Sequence, residues 1–359
     1  MSVTPVMIVA GGTGGHVFPA LAVARELERR GTPVIWLGTP GGLEARVVPE
    51  AGIAMETTTV RGLRGNGLRG WLMAPWMILL AVLQCRAVIR RHQPRSMLGM
   101  GGYVTGPAGL AARWLGCPLV IHEQNAIAGL TNRLLARLAS RVLTGLEAEF
   151  SHRVAAEFTG NPVREAIAAL PAPTTRYAER QGPMRLLVMG GSLGALTLNR
   201  IVPAALARLP GDQRPEVRHQ AGPRTLETAR QAYADARVEA TVSAFIDDMA
   251  EAYGWCDLVI CRAGALTVSE LATAGVPAIL VPYPHAVDDH QSANARRLVE
   301  AGGAELIADD QLEADRLAVR LERLLSDRRV LAHMGEAAGA FGRPDAATRV
   351  ADVCLEVAA

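Results

Sequence analysis

CRAGALTVSELATAGVPAILVPYPHAVDDHQ, residues Cys261 to Gln291, reads as the end of a strand, a turn, a helix and a second strand in succession. The run from Asp257 to Cys261 is short and apolar, as a parallel strand buried on both faces requires. A turn through Arg262, Ala263 and Gly264 follows. From Ala265 the spacing of Leu266, Val268, Leu271 and Ala272 predicts a helix, which Gly275 and Pro277 end. A helix that starts straight after a strand and a glycine turn aims free backbone N–H groups at whatever lies beyond the strand end, which makes an anion site. Glu270, in the second helical turn, suits neutral hydroxyls such as those of a ribose. The strand Ala278 to Pro282 then delivers the polar loop His285 to Gln291. An ordinary strand-helix-strand unit with a solvated Glu270 gives the same pattern.

At 359 residues and 50% hydrophobic, the chain is long enough for two domains with separate cores. A net charge of +2 carries no global nucleic-acid signature, and no nucleic-acid partner is expected. All 37 basic residues are arginine and none is lysine. That removes P-loop lysines, Schiff-base catalysis and pyridoxal-phosphate chemistry, so any phosphate is held by arginine or by backbone. Cys85, Cys117, Cys256, Cys261 and Cys354 form no CxxC pair and suggest neither zinc nor disulfides. The opening MSVTPVMIVAGG has no basic region and only a six-residue apolar run, so it reads as a first strand, and a cytoplasmic protein is expected.

That strand, Val6 to Ala10, leads into the loop Gly11 to His16, a helix from Phe18 to Arg30 and a second strand, Val34 to Leu37. A dinucleotide-binding site would want a third glycine where Val17 stands and an acid at Gly38-Thr39, so a dehydrogenase is disfavoured twice. Aspartates pair at 247–248, 288–289 and 309–310, but no Asp-x-Asp occurs to hold a divalent ion on a diphosphate.

Between Thr57 and His122 there is no acidic residue, yet Arg61, Arg64, Arg69, Arg86, Arg90, Arg91, Arg95 and Arg113 all fall there. Inside lies WLMAPWMILLAVLQ, Trp71 to Gln84, shorter than the roughly 20 residues that cross a bilayer and interrupted by Pro75. Two readings stand: a core helix with a solvated basic end, or a helix lying on an anionic membrane surface. The missing acids favour the membrane.

A second glycine loop, Gly99 to Pro107, precedes a strand from Pro118 that runs into His122-Glu123-Gln124-Asn125, then a helix to Ala139. The segment Pro171 to Pro183, with three prolines, reads as the linker. The opening theme then returns as a strand from Arg185 to Met189, a loop from Gly190 to Ala195 and a helix from Leu198 to Leu209. Two such starts half a chain apart predict two similar α/β domains whose strand-end loops face one cleft.

In order, AGGTGGHVFPALAVA, GGYVTGP, HEQNAIAGLTN, TGNPVR, MGGSLGALTLN, FIDDM, CRAGALTVSELATAGVPAILVPYP and DDHQSANA resemble the motifs of the MurG glycosyltransferases over nearly the whole chain. The resemblance implies an α/β GT-B architecture, two Rossmann-like domains facing a central cleft. Residues 1–164 would form the acceptor- and membrane-facing domain, with the helix 346–359 packing back on it, and residues 165–345 the UDP-N-acetylglucosamine domain. It implies an inverting N-acetylglucosaminyl transfer to the 4-hydroxyl of lipid I, the polyprenyl-diphosphate-linked muramyl-pentapeptide, giving lipid II. The enzyme would sit peripherally on the cytoplasmic face of an anionic membrane and need no cofactor or metal. Family donor contacts fall on Thr13, Gly14, Gly15, Asn125, Arg164, Ser192, Ile246, Ala265, Leu266, Thr267, Val268, Ser269, Glu270 and Gln291, with the neighbouring His290 as the alternative to Gln291 because the loop Ala286 to Asp289 varies in length among relatives.

The leaving diphosphate would be stabilised by helix N-termini and loop amides. A base must take the hydroxyl proton. His16 is the candidate, because imidazole titrates near neutrality, with a purely orienting role as its alternative and Glu123 as the other candidate base. A UDP-N-acetylglucosamine 2-epimerase shares the fold and sugar nucleotide but has no use for a basic, apolar membrane face. A non-catalytic sugar-nucleotide sensor would bind the donor without releasing UDP.

Overall fold

The computed structural model describes residues 4–59, 67–148, 150–151, 153–191 and 194–358, without the side chains of 67–72 and 287. The chain divides into two compact units, one of Met1–Arg164 with Pro344–Ala359 and one of Glu165–Arg343. Both are parallel sheets flanked by helices.

In the first unit the strands are β1 (Val6–Ala10), β2 (Val34–Gly38), β3 (Ala54–Thr57), β4 (Ser96–Gly101), β5 (Leu119–Glu123), β6 (Arg141–Thr144) and β7 (Ala156–Phe158), in the order 3-2-1-4-5-6-7. Alternate β1 residues bury into opposite layers: Val6, Ile8 and Ala10 on one side, Met7 and Val9 on the other. That is why the strand reads as a continuous apolar run. The helix Ala346–Glu356 returns to the first layer, inserting Val350, Ala351, Val353 and Cys354. Ser96 Oγ donates to Cys354 O at 2.6 Å, and Arg30 pairs with Asp352 at 2.5 Å.

The second unit contains β8 (Arg185–Met189), β9 (Glu216–Gln220), β10 (Thr241–Ser243), β11 (Leu258–Cys261), β12 (Ala278–Leu280) and β13 (Ala304–Leu306), in the order 10-9-8-11-12-13. The order reverses beside the first strand of each sheet, at β1/β4 and β8/β11. In open α/β sheets ligands bind at such switch points, beyond the carboxyl ends of the strands.

Three expectations change. Pro171 to Pro183 is not a linker: Pro173–Glu179 is a helix docked on the second unit, with Tyr177 in the core and its Oη donating to Asp257 O at 2.6 Å. Arg176 is buried too, and caps the helix Ala265–Ala274 by donating to the carbonyls of Ala274 and Gly275 at 2.6 and 2.8 Å. The first helix begins at Gly14, not Phe18, so the glycines are its first turn. Finally, Pro75 does not interrupt the apolar segment. One helix runs from Gly67 to His92, and its Met73–His92 portion is long and apolar enough to cross a membrane by length and composition, with a third of it buried.

That helix is apolar on two faces. Ala81, Val82, Cys85, Val88 and Ile89 are buried, while Met73, Trp76, Leu79, Leu80 and Leu83 are each more than 40% exposed. An ordinary surface helix would carry polar residues on the outer stripe. Trp114, 59% exposed on the next helix (Thr105–Leu115), lies under the Arg86 guanidinium at 4.6 Å. Arg91 pairs with Glu56 and Arg95 donates to Leu355 O, whereas Arg90 and Arg113 are exposed. Arg61 and Arg64 lie outside the described residues, as do the side chains of Arg69 and Trp71.

Candidate active site

At the first switch point β1 ends in Gly11, whose N–H donates to Gly101 O at the end of β4. Gly102 has φ +90°, and a Cβ there would lie 2.3 Å from Gly11 O, so only glycine lets the two strand ends meet this closely. Thr13 is the N-cap of the helix Gly14–Arg29, and its carbonyl accepts from the N–H groups of His16 and Val17. Gly14 and Gly15, in the first turn, have no intrahelical acceptor for theirs. His16 is half-buried above Gly101, where a Cβ would fall 2.6 Å from its Nδ1.

Glu44 is the residue that the pattern of this half does not announce. It is fully buried, and its carboxylate accepts from Gly12 N (3.0 Å), Thr39 N (3.0 Å) and Thr39 Oγ1 (2.6 Å). Burial alone would raise its pKa. The hydrogen bonds from Thr39 and from the Gly12 and Thr39 N–H groups outweigh that and hold the carboxyl below the usual range. The acid missing from the end of β2 thus arrives six residues later and fills part of the glycine loop with a fixed negative charge.

The loop after β5 is built around Glu123. Its carboxylate is buried and accepts four hydrogen bonds, from Asn125 N (3.0 Å), Asn125 Nδ2 (3.1 Å), Gly129 N (3.0 Å) and Asn132 Nδ2 (2.8 Å). With all four bonds made inside its own loop, Glu123 is the hub that orders this loop and sets Asn125. Next to it Gln124 Oε1 lies 2.9 Å from His16 Nδ1. Arg164 sits over the Phe18 ring at 6.0 Å, on the same unit.

In the second unit the loop after β8 opens with Gly190, and Ser192 lies outside the described residues. Gly191 N–H donates to Gln220 Oε1 at 3.0 Å, while Gln220 Nε2 donates to Gly191 O and Ala244 O, both at 3.0 Å. After β11 the helix Ala265–Ala274 starts at the N-cap Gly264 and ends at Gly275 in the left-handed region, φ +58°. Ala265, Leu266 and Thr267 present first-turn N–H groups without intrahelical acceptors. Val268 is fully buried, and its N–H donates to Gly264 O. Ser269 and Glu270 are buried, and Glu270 Oε2 accepts from Tyr253 Oη at 3.1 Å, which replaces the solvated alternative with an oriented carboxylate. Gln291 Oε1 accepts from Ala263 N (3.2 Å) and Tyr283 N (2.9 Å), joining the loops after β11 and β12. Its Nε2 amide is therefore the group it offers a ligand. Ile246 is half-buried, just before the helix Met249–Trp255 that Asp248 caps. Among the described residues no three His, Cys, Asp or Glu side chains converge to hold a metal ion.

The two Rossmann-like units with glycine-loop switch points are matched by the two domains of glycosyltransferase family 28. The family's N-terminal domain matches residues 6–144 and its C-terminal domain residues 185–350. The UDP-N-acetylglucosamine--N-acetylmuramyl-(pentapeptide) pyrophosphoryl-undecaprenol N-acetylglucosamine transferase of Alkalilimnicola ehrlichii is 61% identical over 354 residues, 99% of each chain. The crystal structure of Acinetobacter baumannii MurG superposes with a TM-score of 0.84 at 39% identity, covering 98% of this chain and 99% of that one. The chain belongs to the MurG family. A UDP-GlcNAc 2-epimerase from Neisseria meningitidis bound to UDP-GlcNAc shares the fold alone, with a TM-score of 0.70 at 13% identity over 98% of this chain and 100% of that one.

Proposed function

We propose that this protein transfers N-acetylglucosamine from UDP-N-acetylglucosamine to the 4-hydroxyl of the muramyl sugar of lipid I, with inversion, in peptidoglycan synthesis. Membership of the MurG family carries this reading, because the relatives' name specifies the transferred sugar and the lipid-linked acceptor. In the reaction the acceptor oxygen bonds to the anomeric carbon as the bond to UDP breaks. His16 takes the hydroxyl proton, and the charge passes to the departing diphosphate. The second unit suits the donor: the N–H groups of Ala265 to Thr267 for phosphate, Glu270 for ribose hydroxyls and the Gln291 amide for the sugar. On the first unit Gly14, Gly15, Asn125 and Arg164 serve the reacting groups. The epimerase alternative rests on shared fold only. The test is UDP release with and without lipid I: release that requires lipid I supports transfer, and release without acceptor or binding without release overturns it.

The apolar outer stripe from Met73 to Leu83, with exposed Arg90 and Arg113 nearby, supports a peripheral seat on the anionic cytoplasmic face. A polyprenyl tail leaves the bilayer at a cost of about 0.8 kcal/mol per CH₂, so the enzyme must reach the lipid where it lies. Leu79→Glu with Leu80→Glu is expected to reduce binding to anionic vesicles and turnover of long-chain lipid I, while sparing a short water-soluble acceptor. Equal loss with both acceptors would make the stripe a packing surface instead.

A further inference from the structure

The hydrogen bonds behind His16 run in one direction only, and backbone carbonyls at two points fix it. Gln124 Nε2 donates to His122 O at 3.1 Å. A carbonyl can only accept, so the amide nitrogen must face it, and Gln124 Oε1 must face His16 Nδ1, 2.9 Å away. That oxygen also only accepts. His16 therefore carries its proton on Nδ1 and leaves Nε2 with a bare lone pair. The second anchor is Gly160 O, which accepts from His122 Nε2 at 3.0 Å and so leaves His122 Nδ1 to receive the other Gln124 N–H at 3.2 Å. His122 is fully buried, and burial pushes its pKa down to about 4, so it stays neutral and the direction holds at neutral pH. Asn161 Nδ2 donates to Gln124 O at 3.0 Å and ties the Gly160 turn to the same backbone.

We propose that Gln124, backed by His122, is a positioning residue that holds His16 in the tautomer whose Nε2 accepts the proton of the sugar hydroxyl. Free imidazole in histidine favours the opposite tautomer, with its proton on the nitrogen that has to accept. This inference rests on the reading of His16 as the base, and the experiment separates the two.

Gln124→Met keeps the side chain's length and removes all three of its side-chain hydrogen bonds. Its kcat is expected to fall about tenfold or more with the KM for UDP-N-acetylglucosamine unchanged. In a His16→Ala background the same substitution should change kcat less than about twofold, since Gln124 acts through His16. An equal loss in both backgrounds makes Gln124 a structural residue and overturns the proposal. Nitrogen-15 spectra of the wild-type protein labelled at histidine give a readout that needs no variant: a protonated Nδ1 and bare Nε2 on His16 are expected, and the reverse overturns the proposal. Full turnover by His16→Ala alone overturns the base reading, whichever tautomer the spectra show.

Discussion

The loops after β1 and after β8 occupy the same place in the same topology, yet their first free N–H groups meet opposite chemistry. Gly12 N–H is held by the ionised carboxylate of Glu44, and Gly191 N–H by the neutral amide oxygen of Gln220, each at 3.0 Å. The first loop already contains an anion. Among the described residues of the second, the partner is neutral. At an effective dielectric of about 20, a carboxylate about 5 Å from a phosphate costs about 3 kcal/mol, a repulsion that the neutral Gln220 does not bring to the second loop. A fold repeated within one chain thus closes the same loop with a charged side chain in one unit and a neutral one in the other.

The sharpest break of that comparison is His16→Ala. If the first loop serves the acceptor's proton, kcat should fall by about 10²-fold or more while UDP binding, measured by calorimetry, stays within about threefold. Parallel loss of UDP binding would mean both loops serve the donor. Next comes Gln220→Glu, which puts a charge into the second loop, paired with Gln220→Met, which removes the same bonds without one. UDP affinity should fall about 10- to 100-fold in the glutamate variant and markedly less in the methionine variant. Equal losses would show that loop shape, not charge, matters.

The smallest effect concerns Glu44→Gln, expected to cost the first unit about 1–3 kcal/mol in urea unfolding at pH 7. Because the folded pKa of Glu44 is depressed, its contribution is fully present above the unfolded value. It is lost as pH falls through the folded one. The gap between wild type and variant should therefore narrow on acidification below about pH 4.5. A gap that does not depend on pH would mean the carboxylate is not ionised in the loop.

Local chemistry made much of this legible. Continuous apolar runs such as Val6 to Ala10 and Leu258 to Cys261, short and followed by glycine turns, read as strands buried on both faces, and the Ala265–Ala274 helix was marked by its spacing and by Gly275. The start of the first helix at Gly14 was hidden by two glycines that disfavour helix. Pro173–Glu179 looked like a linker because its stabilising partners, the Asp257 carbonyl and the carbonyls of Ala274 and Gly275, lie 80 to 99 residues away. The same distance effect concealed Glu44 and Gln124, 32 and 108 residues from Gly12 and His16. Glu123 is the opposite case: its donors lie only two to nine residues away, and it is the conformation of its own loop that gathers them round the carboxylate.

The return of the helix Ala346–Glu356 to the first unit has a consequence for how the protein is made. The second unit is contiguous, so all of it has been translated before that helix exists. The layer that Val17 to Leu27 and Val48 begin to form over one face of the sheet waits for Val350, Val353 and Cys354 to complete it. At 5–20 residues per second the ribosome needs roughly 10 to 40 s to pass from Arg164 to those residues. Domains usually finish in the order they are synthesised. Here the first to start is the last to close, and the apolar strip awaiting the C-terminal helix is the part of the nascent chain that needs shielding from aggregation.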